Sequence, residues 1–282
     1  MAVKFIVDSA CDILPAEAKE LGIIHLPLKV MFEDTEYADA VDLTHEEFYE
    51  KLIESDVLPS TSQVPPADFE DAYEKVVSNG DEAVVVTVSG KLSGTYQSAM
   101  IAREDYEGKV FVVDSENAAL AEKILIYRGL EYVKEGLCAS EIAAKLDEEK
   151  KKIRLLALLD TLEYLKKGGR ISSAVAFAGG LLSIKPVVGI ENGEVVLVGK
   201  ARGSKQGNNL LRELIQKSRG IDFEKPYMLA YSGLSDKLLQ KYIKDSAELW
   251  EGQIEQLPVC TVGCAIGTHV GPGAVAVAFF EK

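Results

Sequence analysis

In the first half of the chain, apolar positions fall into short β-branched runs separated by longer stretches where they recur every three or four residues. The short runs predict strands at Lys4–Asp8, Ile23–Val30, Ala83–Val88 and Lys109–Asp114. The longer stretches predict helices at Pro15–Leu21, Thr44–Ser55, Pro66–Ser78, Gly94–Asp105 and Ala118–Glu135, with Thr44 and Glu47 spaced as a capping box. Alternation of this kind forces right-handed crossovers and hence a parallel sheet.

The pattern changes after the acidic-basic stretch Lys145–Lys152. Glycine pairs at Gly168-Gly169 and Gly179-Gly180 predict turns, and Asn192-Gly193 between the β-rich runs Pro186–Glu191 and Glu194–Val198 predicts a hairpin. Helices at Gly203–Lys217 and Ser235–Trp250 and strands at Tyr227–Tyr231, Gln253–Pro258 and Ala274–Phe280 complete the series. The expected fold class is therefore α/β with two domains. Residues 1–152 form an N-terminal parallel-sheet α/β domain, and residues 153–282 a C-terminal α+β domain with a mixed sheet.

Composition narrows the class of function. The 282 residues are 47% hydrophobic, enough for a core in each domain, which excludes a disordered chain, a fibre or a disulfide-stapled miniature fold. With 31 Lys and Arg against 45 Asp and Glu the net charge is −14, so nucleic acid and an anionic membrane are poor partners, and only transient membrane contact is left open. Cys11, Cys138, Cys260 and Cys264 are too sparse for a disulfide framework, and Met1–Phe5 lacks the apolar core of a signal peptide. A cytoplasmic protein with reduced thiols is expected.

The most informative local signal is a buried strand, Val84–Val88, followed by Ser89-Gly90-Lys91-Leu92-Ser93-Gly94-Thr95-Tyr96. A strand end leading through a Ser/Gly turn into a helix N-terminus presents unpaired N–H groups, a hydroxyl and a partial positive field to an anion. A plain N-cap at Ser93 accounts for the same residues equally well. The spacing is not that of a hydrolase elbow, and neither a G-x-x-x-x-G-K-[ST] nor a G-x-G-x-x-G run occurs. A second hydroxyl cluster, Ser60-Thr61-Ser62-Gln63, leads into the stiff Val64-Pro65-Pro66 and reads as a capped turn whose hydroxyls can also reach an anion.

His269 lies in the glycine-rich run Gly267–Gly273, where a backbone can approach a ligand closely. The spacing Cys260-x3-Cys264-x4-His269 loosely fits zinc, but it supplies three ligands in a hydrophobic run, and buried core thiols explain it better. His25 and His45 read as structural or solvated. Arg170, after Lys166-Lys167-Gly168-Gly169, offers a bidentate donor to an anion beyond a helix C-cap. Lys200, Arg202 and Lys205 form a basic patch of the kind usually solvated. Asp8, Asp12, Asp114 and Asp160 read as caps, so no acid–base couple stands out.

Taken in order, several segments resemble the DegV family of bacterial fatty-acid-binding proteins, which includes the binding subunits of fatty-acid kinase (FakB-like). The segments are Val7–Pro15, Pro59–Gln63, Ser89–Tyr96, Val113–Ser115, Leu162–Ile171, Ile184–Pro186 and His269-x-Gly271-Pro272-Gly273, spread over essentially the whole length. The resemblance implies a long-chain fatty acid in a tunnel between two domains, with no other cofactor. It implies a carboxylate held by Thr61 and Ser93 with their neighbours Ser62 and Gly94, near Arg170 and His269. It further implies that Arg202 docks a separate fatty-acid kinase subunit, which makes acyl phosphate for phospholipid synthesis, so that this chain presents substrate without turnover. The segment Ser115–Glu122 departs from a family pattern richer in glycine and small residues. Two other readings compete: a hydrolase of lipid esters or thioesters with Ser93 as nucleophile and His269 as base, and a lipid transporter or sensor with no kinase partner.

Overall fold

The computed structural model describes residues 2–172, 184–250, 252 and 257–282. The expected turn at Gly179-Gly180 lies outside these residues, as does most of the run Gln253–Pro258.

The first sheet is fully parallel. Its strands β1 (Val3–Asp8), β2 (Ile24–Leu26), β6 (Glu82–Thr87) and β7 (Val110–Asp114) lie in the order β2-β1-β6-β7. Both faces are covered, which is why Ala83–Val86 can be apolar without alternation. Phe5, Val7, Val84 and Val86 point to one face, and Ile6, Ala83 and Val85 to the other, as the period of two requires. Helices α1 (Pro15–Leu21), α3 (Pro66–Val77), α4 (Thr95–Ala102), α5 (Leu120–Lys134) and α6 (Ala139–Glu149) provide the crossovers and covering layers.

The expected strand Ile23–Val30 is two strands in two sheets. After β2 the chain meets Pro27, which has no N–H for a ladder. The Leu28 N–H then donates to Ser9 Oγ at 3.0 Å instead of to a strand. The next strand, β3 (Lys29–Phe32), pairs with β4 (Thr35–Ala38) and β5 (Ser60–Ser62) in a small antiparallel sheet. The Ser-Thr-Ser cluster expected as a capped turn is thus a strand edge, with Thr61 opposite Val30. Helix α2 (His45–Glu54) follows β4 and is opened by the expected capping box of Thr44 and Glu47.

After α6, β8 (Ile153–Leu158) enters a six-stranded sheet of order β10-β9-β8-β13-β11-β12. Its other members are β9 (Ile184–Glu191), β10 (Glu194–Arg202), β11 (Met228–Tyr231), β12 (Val259–Thr261) and β13 (Val275–Phe280). The β11–β12 pair is parallel and the rest antiparallel, so the sheet is mixed. Asn192 (φ 50°) and Gly193 (φ 82°) form the predicted two-residue hairpin turn between β9 and β10. Helices α8 (Gly203–Lys217) and α9 (Lys237–Asp245) cover one face of this sheet, and the short α7 (Glu163–Lys167) follows β8. The expected helix Ser235–Trp250 is α9 followed by a 3₁₀ turn, Ala247–Trp250.

On β13, Val275, Val277 and Phe279 face α8 and α9, while Ala276, Ala278 and Phe280, with Ala274 just ahead of the strand, face the first sheet. One hydrophobic cluster runs from β1 and β6 through α5 to β8, β9 and β13, so α5 is packed between the sheets. Among the described residues, no helix is long and apolar enough to cross a membrane.

Candidate functional site

The alternation along β13 leaves small side chains on the face turned toward the first sheet. Ala157 and Gly189, from β8 and β9, continue that small-residue surface alongside Ala274 and Ala276. Alanine and glycine cannot fill the gap that larger strand residues would close. The result is a cavity of about 400 Å³, roofed by Val88 and Leu92 from the loop after β6, by Ala118, Ala119 and Leu120 at the start of α5, and by Ala265, Ile266 and Val270. Its size is within the ~300–1,000 Å³ usual for small-ligand sites.

The polar lining residues are Thr61, Ser62, Gln63, Ser93, Arg170 and His269, with Gly94 beside them. Six residues singled out from the sequence, Thr61, Ser62, Ser93, Gly94, Arg170 and His269, therefore line one cavity. They come from β5, from the turn before α4, from the turn after α7, and from α10 (Cys264–Val270). His269 was expected in a glycine-rich loop. It sits in the last turn of α10, whose small residues Ala265 and Gly267 let the helix pack close against its neighbours. Gly267 lies against Phe48 and Tyr49 of α2, leaving no room for a side chain.

Thr61 Oγ1 and His269 Nε2 are 2.9 Å apart, and Nδ1 of the same ring is buried without a partner. Burial, assisted by the positive charge of Arg170, lowers the His269 pKa to about 4, so the imidazole is neutral at physiological pH. Gly168 packs on this ring so tightly that a β-carbon there would press on Nδ1, well inside van der Waals contact. Arg170 donates through Nε to Leu92 O at 3.1 Å and through Nη1 to Gly168 O at 2.6 Å, which fixes its plane at the cavity wall. Burial lowers its pKa from the usual guanidinium value.

Ser93 Oγ pairs with Thr95 Oγ1 at 2.9 Å and accepts from the Thr95 N–H at 3.3 Å, which fixes the turn, but the N-cap of α4 is Gly94, with no side-chain cap, and not Ser93. The hydrogen bonds recorded for Ser93 and His269 therefore run to different threonines, and the nucleophile–base pair a hydrolase needs is not assembled between them. Sequence reasoning missed Gln63. Its amide donates to Ser98 Oγ at 2.8 Å and its carbonyl end presses on Gly94, bracing the hydroxyl turn. Its position directly after Ser-Thr-Ser was the available signal.

Arg202 lies elsewhere, exposed at the end of β10 where α8 begins. Cys264 opens α10 and His269 stands in its last turn, five residues or about 7.5 Å of helix rise later. That separation does not bring the two side chains of the Cys260, Cys264 and His269 grouping together on one metal.

Fold and cavity together define an α/β protein of two large sheets and one small one, built around an apolar pocket with one polar wall. The profile of the DegV family, described as uncharacterised proteins, matches residues 2–282, and the chain belongs to this family. It is 33% identical over 282 residues to a DegV domain-containing protein of Caldanaerobacter subterraneus subsp. tengcongensis, covering 99% of each chain. Its structure is similar to that of a DegV family protein from Thermus thermophilus described as fatty-acid binding, with TM-score 0.87, 30% identity and all of both chains covered. A stearic-acid-binding protein from Eubacterium ventriosum is also similar, with TM-score 0.86 and 25% identity over 100% of this chain and 99% of the other.

Proposed function

We propose that this chain binds a long-chain fatty acid in the cavity and presents its carboxylate to a separate ATP-dependent kinase, itself performing no turnover. The observation that carries the reading is the division of the cavity into an alanine-lined apolar body and a cluster of hydroxyls, a neutral histidine and an arginine. Burying a saturated chain at ~0.8 kcal/mol per methylene yields on the order of 10 kcal/mol, sufficient for tight binding after ordering costs. A carboxylate drawn in behind that chain must be hydrogen-bonded or neutralised. With Nε2 protonated, neutral His269 donates to Thr61 Oγ1 and turns the threonine hydrogen toward the carboxylate. Ser93 and the N–H groups at the start of α4 supply the other donors. The fatty acids named for the similar proteins from Thermus thermophilus and Eubacterium ventriosum support the ligand class.

The test is to denature purified protein and identify co-purified lipid by mass spectrometry, comparing wild type with Ser93→Ala and Thr61→Ala. About one equivalent of long-chain fatty acid in wild type, depleted in both variants, is the expected result. An empty wild-type protein that takes up no added fatty acid would overturn the reading. Presentation to a kinase is tested by acyl-phosphate formation with ATP and a cognate kinase, where Arg202→Ala is expected to slow turnover without releasing lipid.

Gly168→Ala provides a more local check. Gly168 has an ordinary helical backbone (φ −73°), so the new methyl strains no torsion and acts chiefly by displacing the His269 ring, with a lesser contact on Tyr164 O at 3.1 Å. Loss of the histidine–threonine bond frees the Thr61 hydroxyl to turn away from the carboxylate, a charge-assisted contact worth ~1.5–3 kcal/mol, so fatty-acid affinity is expected to fall roughly 10- to 100-fold by titration calorimetry.

A further inference from the structure

A second cluster of chemistry-bearing side chains lies outside the cavity, at the opposite end of α10 from His269. Asp39, in the turn after β4, His45, the first residue of α2, and Cys264, the first residue of α10, each offer one ligand atom, and these atoms all lie within 4.8 Å of one another. Carboxylate, imidazole and thiolate converging from three segments are the donor set of a four-coordinate transition-metal site.

The surroundings are ordered as such a site requires. His45 Nδ1 is 3.0 Å from Thr261 Oγ1, a partner that leaves Nε2 as the coordinating atom. Nε2 is turned back against Gly263, the residue that precedes Cys264. Asp39 accepts from Ser9 Oγ at 2.9 Å and from the N–H groups of Cys264 and Ala265 at 3.1 and 3.2 Å, so its carboxylate is held in place from the protein side. Cys264 is a free, buried thiol whose hydrogen-bond contacts are the weak ones to Leu43 O at 3.6 Å and Thr44 O at 4.0 Å. Asp12 stands beside the cluster with Oδ1 bound to the Gly263 N–H at 2.8 Å and Oδ2 buried without a partner. His45 also borders a depression of about 410 Å³ shared with Thr44, Tyr231 and Thr261, which gives an ion a route inward.

We propose that Asp39, His45 and Cys264 bind a divalent transition-metal ion of the zinc class, with water completing the coordination. As the sulfur–metal bond forms, the Cys264 thiol releases its proton to solvent and gives up the contact to Leu43 O. The ion ties the β3–β5 and α2 segment to α10. Those are the elements that carry Thr61 and His269, so occupancy holds the two halves of the polar cluster in register.

The experiment adds cobalt(II) to the full-length, reduced, chelator-stripped protein and follows thiolate-to-cobalt charge-transfer absorption, then displaces cobalt with zinc. One equivalent of cobalt bound with this absorption, bleached by zinc, is expected in wild type and in the Cys138→Ser and Cys260→Ser controls. Cys264→Ser is expected to lose the absorption, and His45→Gln to weaken binding by more than about 100-fold, beyond the 10- to 100-fold of an outer-shell change. No charge-transfer band in wild type, or a band that survives Cys264→Ser or disappears in Cys138→Ser, overturns the site. His45→Gln alters a residue beside a surface depression, so it carries the test if Cys264→Ser does not fold. Fatty-acid content measured on the same samples keeps this outcome separate from that of the acyl cavity.

Discussion

Ala276→Phe is expected to empty the cavity of fatty acid while leaving the protein folded. Ala276 is the second residue of β13, opposite Ala157 on β8 and Ala230 on β11, with its methyl group facing the cavity. A phenyl ring there projects into space that the fold already leaves open, so it need not displace packed neighbours as an overpacked core residue does. If the ring excludes about four methylenes at ~0.8 kcal/mol each, affinity falls by roughly 3 kcal/mol, or about 200-fold. Lipid mass spectrometry should find the variant empty or carrying a shorter acid, with a thermal midpoint close to that of wild type. Full retention of the wild-type acid would mean that the acyl chain runs elsewhere. Ala157→Phe, on the neighbouring strand, should reproduce the effect if the alanine floor is the cause.

Glu122→Gln is expected to stabilise the protein, by an amount that grows with pH. Glu122 is in the first turn of α5 and wholly buried, and neither carboxyl oxygen has a hydrogen-bond partner. Burial, reinforced by the nearby carboxylates Asp8, Asp12 and Asp114, holds its pKa well above the usual carboxylate range. The folded state therefore keeps a proton that the unfolded chain releases. The associated stability is fully present below the unfolded carboxyl range and declines as pH rises, by about 1.4 kcal/mol for each unit through which the folded group stays protonated. Glutamine has nothing to titrate, so the variant and wild type should nearly coincide near pH 4 and separate progressively as pH rises. Urea unfolding across that range measures the gap. A constant difference, or one that closes as pH rises, would contradict the assignment. Part of the wild-type slope will remain in the variant, because burial also raises Asp8 to about 7 and Asp12 to about 8 with the same sign.

The segment that leads to Glu122 also shows strain. Ala119 adopts φ 55°, ψ −138° at the cavity wall, a backbone state that glycine reaches freely and alanine reaches at about 1–3 kcal/mol. Its N–H donates to Ala10 O at 2.8 Å, which shows what holds the strained turn in place.

Much of the fold was legible in local signals. Pro15 at the start of α1 and Gly22 at φ 70° after its end bracket that helix as read, and α8 spans the residues its periodicity marks. The hairpin at Asn192-Gly193 and the parallel run β1, β6 and β7 were equally plain, since turn chemistry and uninterrupted β-branched runs act over a few residues. The Ser-Thr-Ser strand, the division at Pro27 and the helix α10 were not legible as such. Three hydroxyl residues have no hydrophobic period to read, and a seven-residue helix is too short to announce itself and depends on Phe48 and Tyr49 packing against it.

The sequence by itself determined the residue types at the polar wall, because Ser93 and Arg170 stand in turns whose local chemistry already suits an anion. Only the tertiary structure decided that Thr61 and His269, separated by 208 positions, share a hydrogen bond, and that Arg170 reaches Leu92 O across 78. It also decided that alternate alanines of β13 face an open space while the valines between them fill a core. Local signals depend on torsions and neighbours a few residues apart. A cavity depends on which surfaces the sheets turn toward each other, and that is set by the packing of the whole chain.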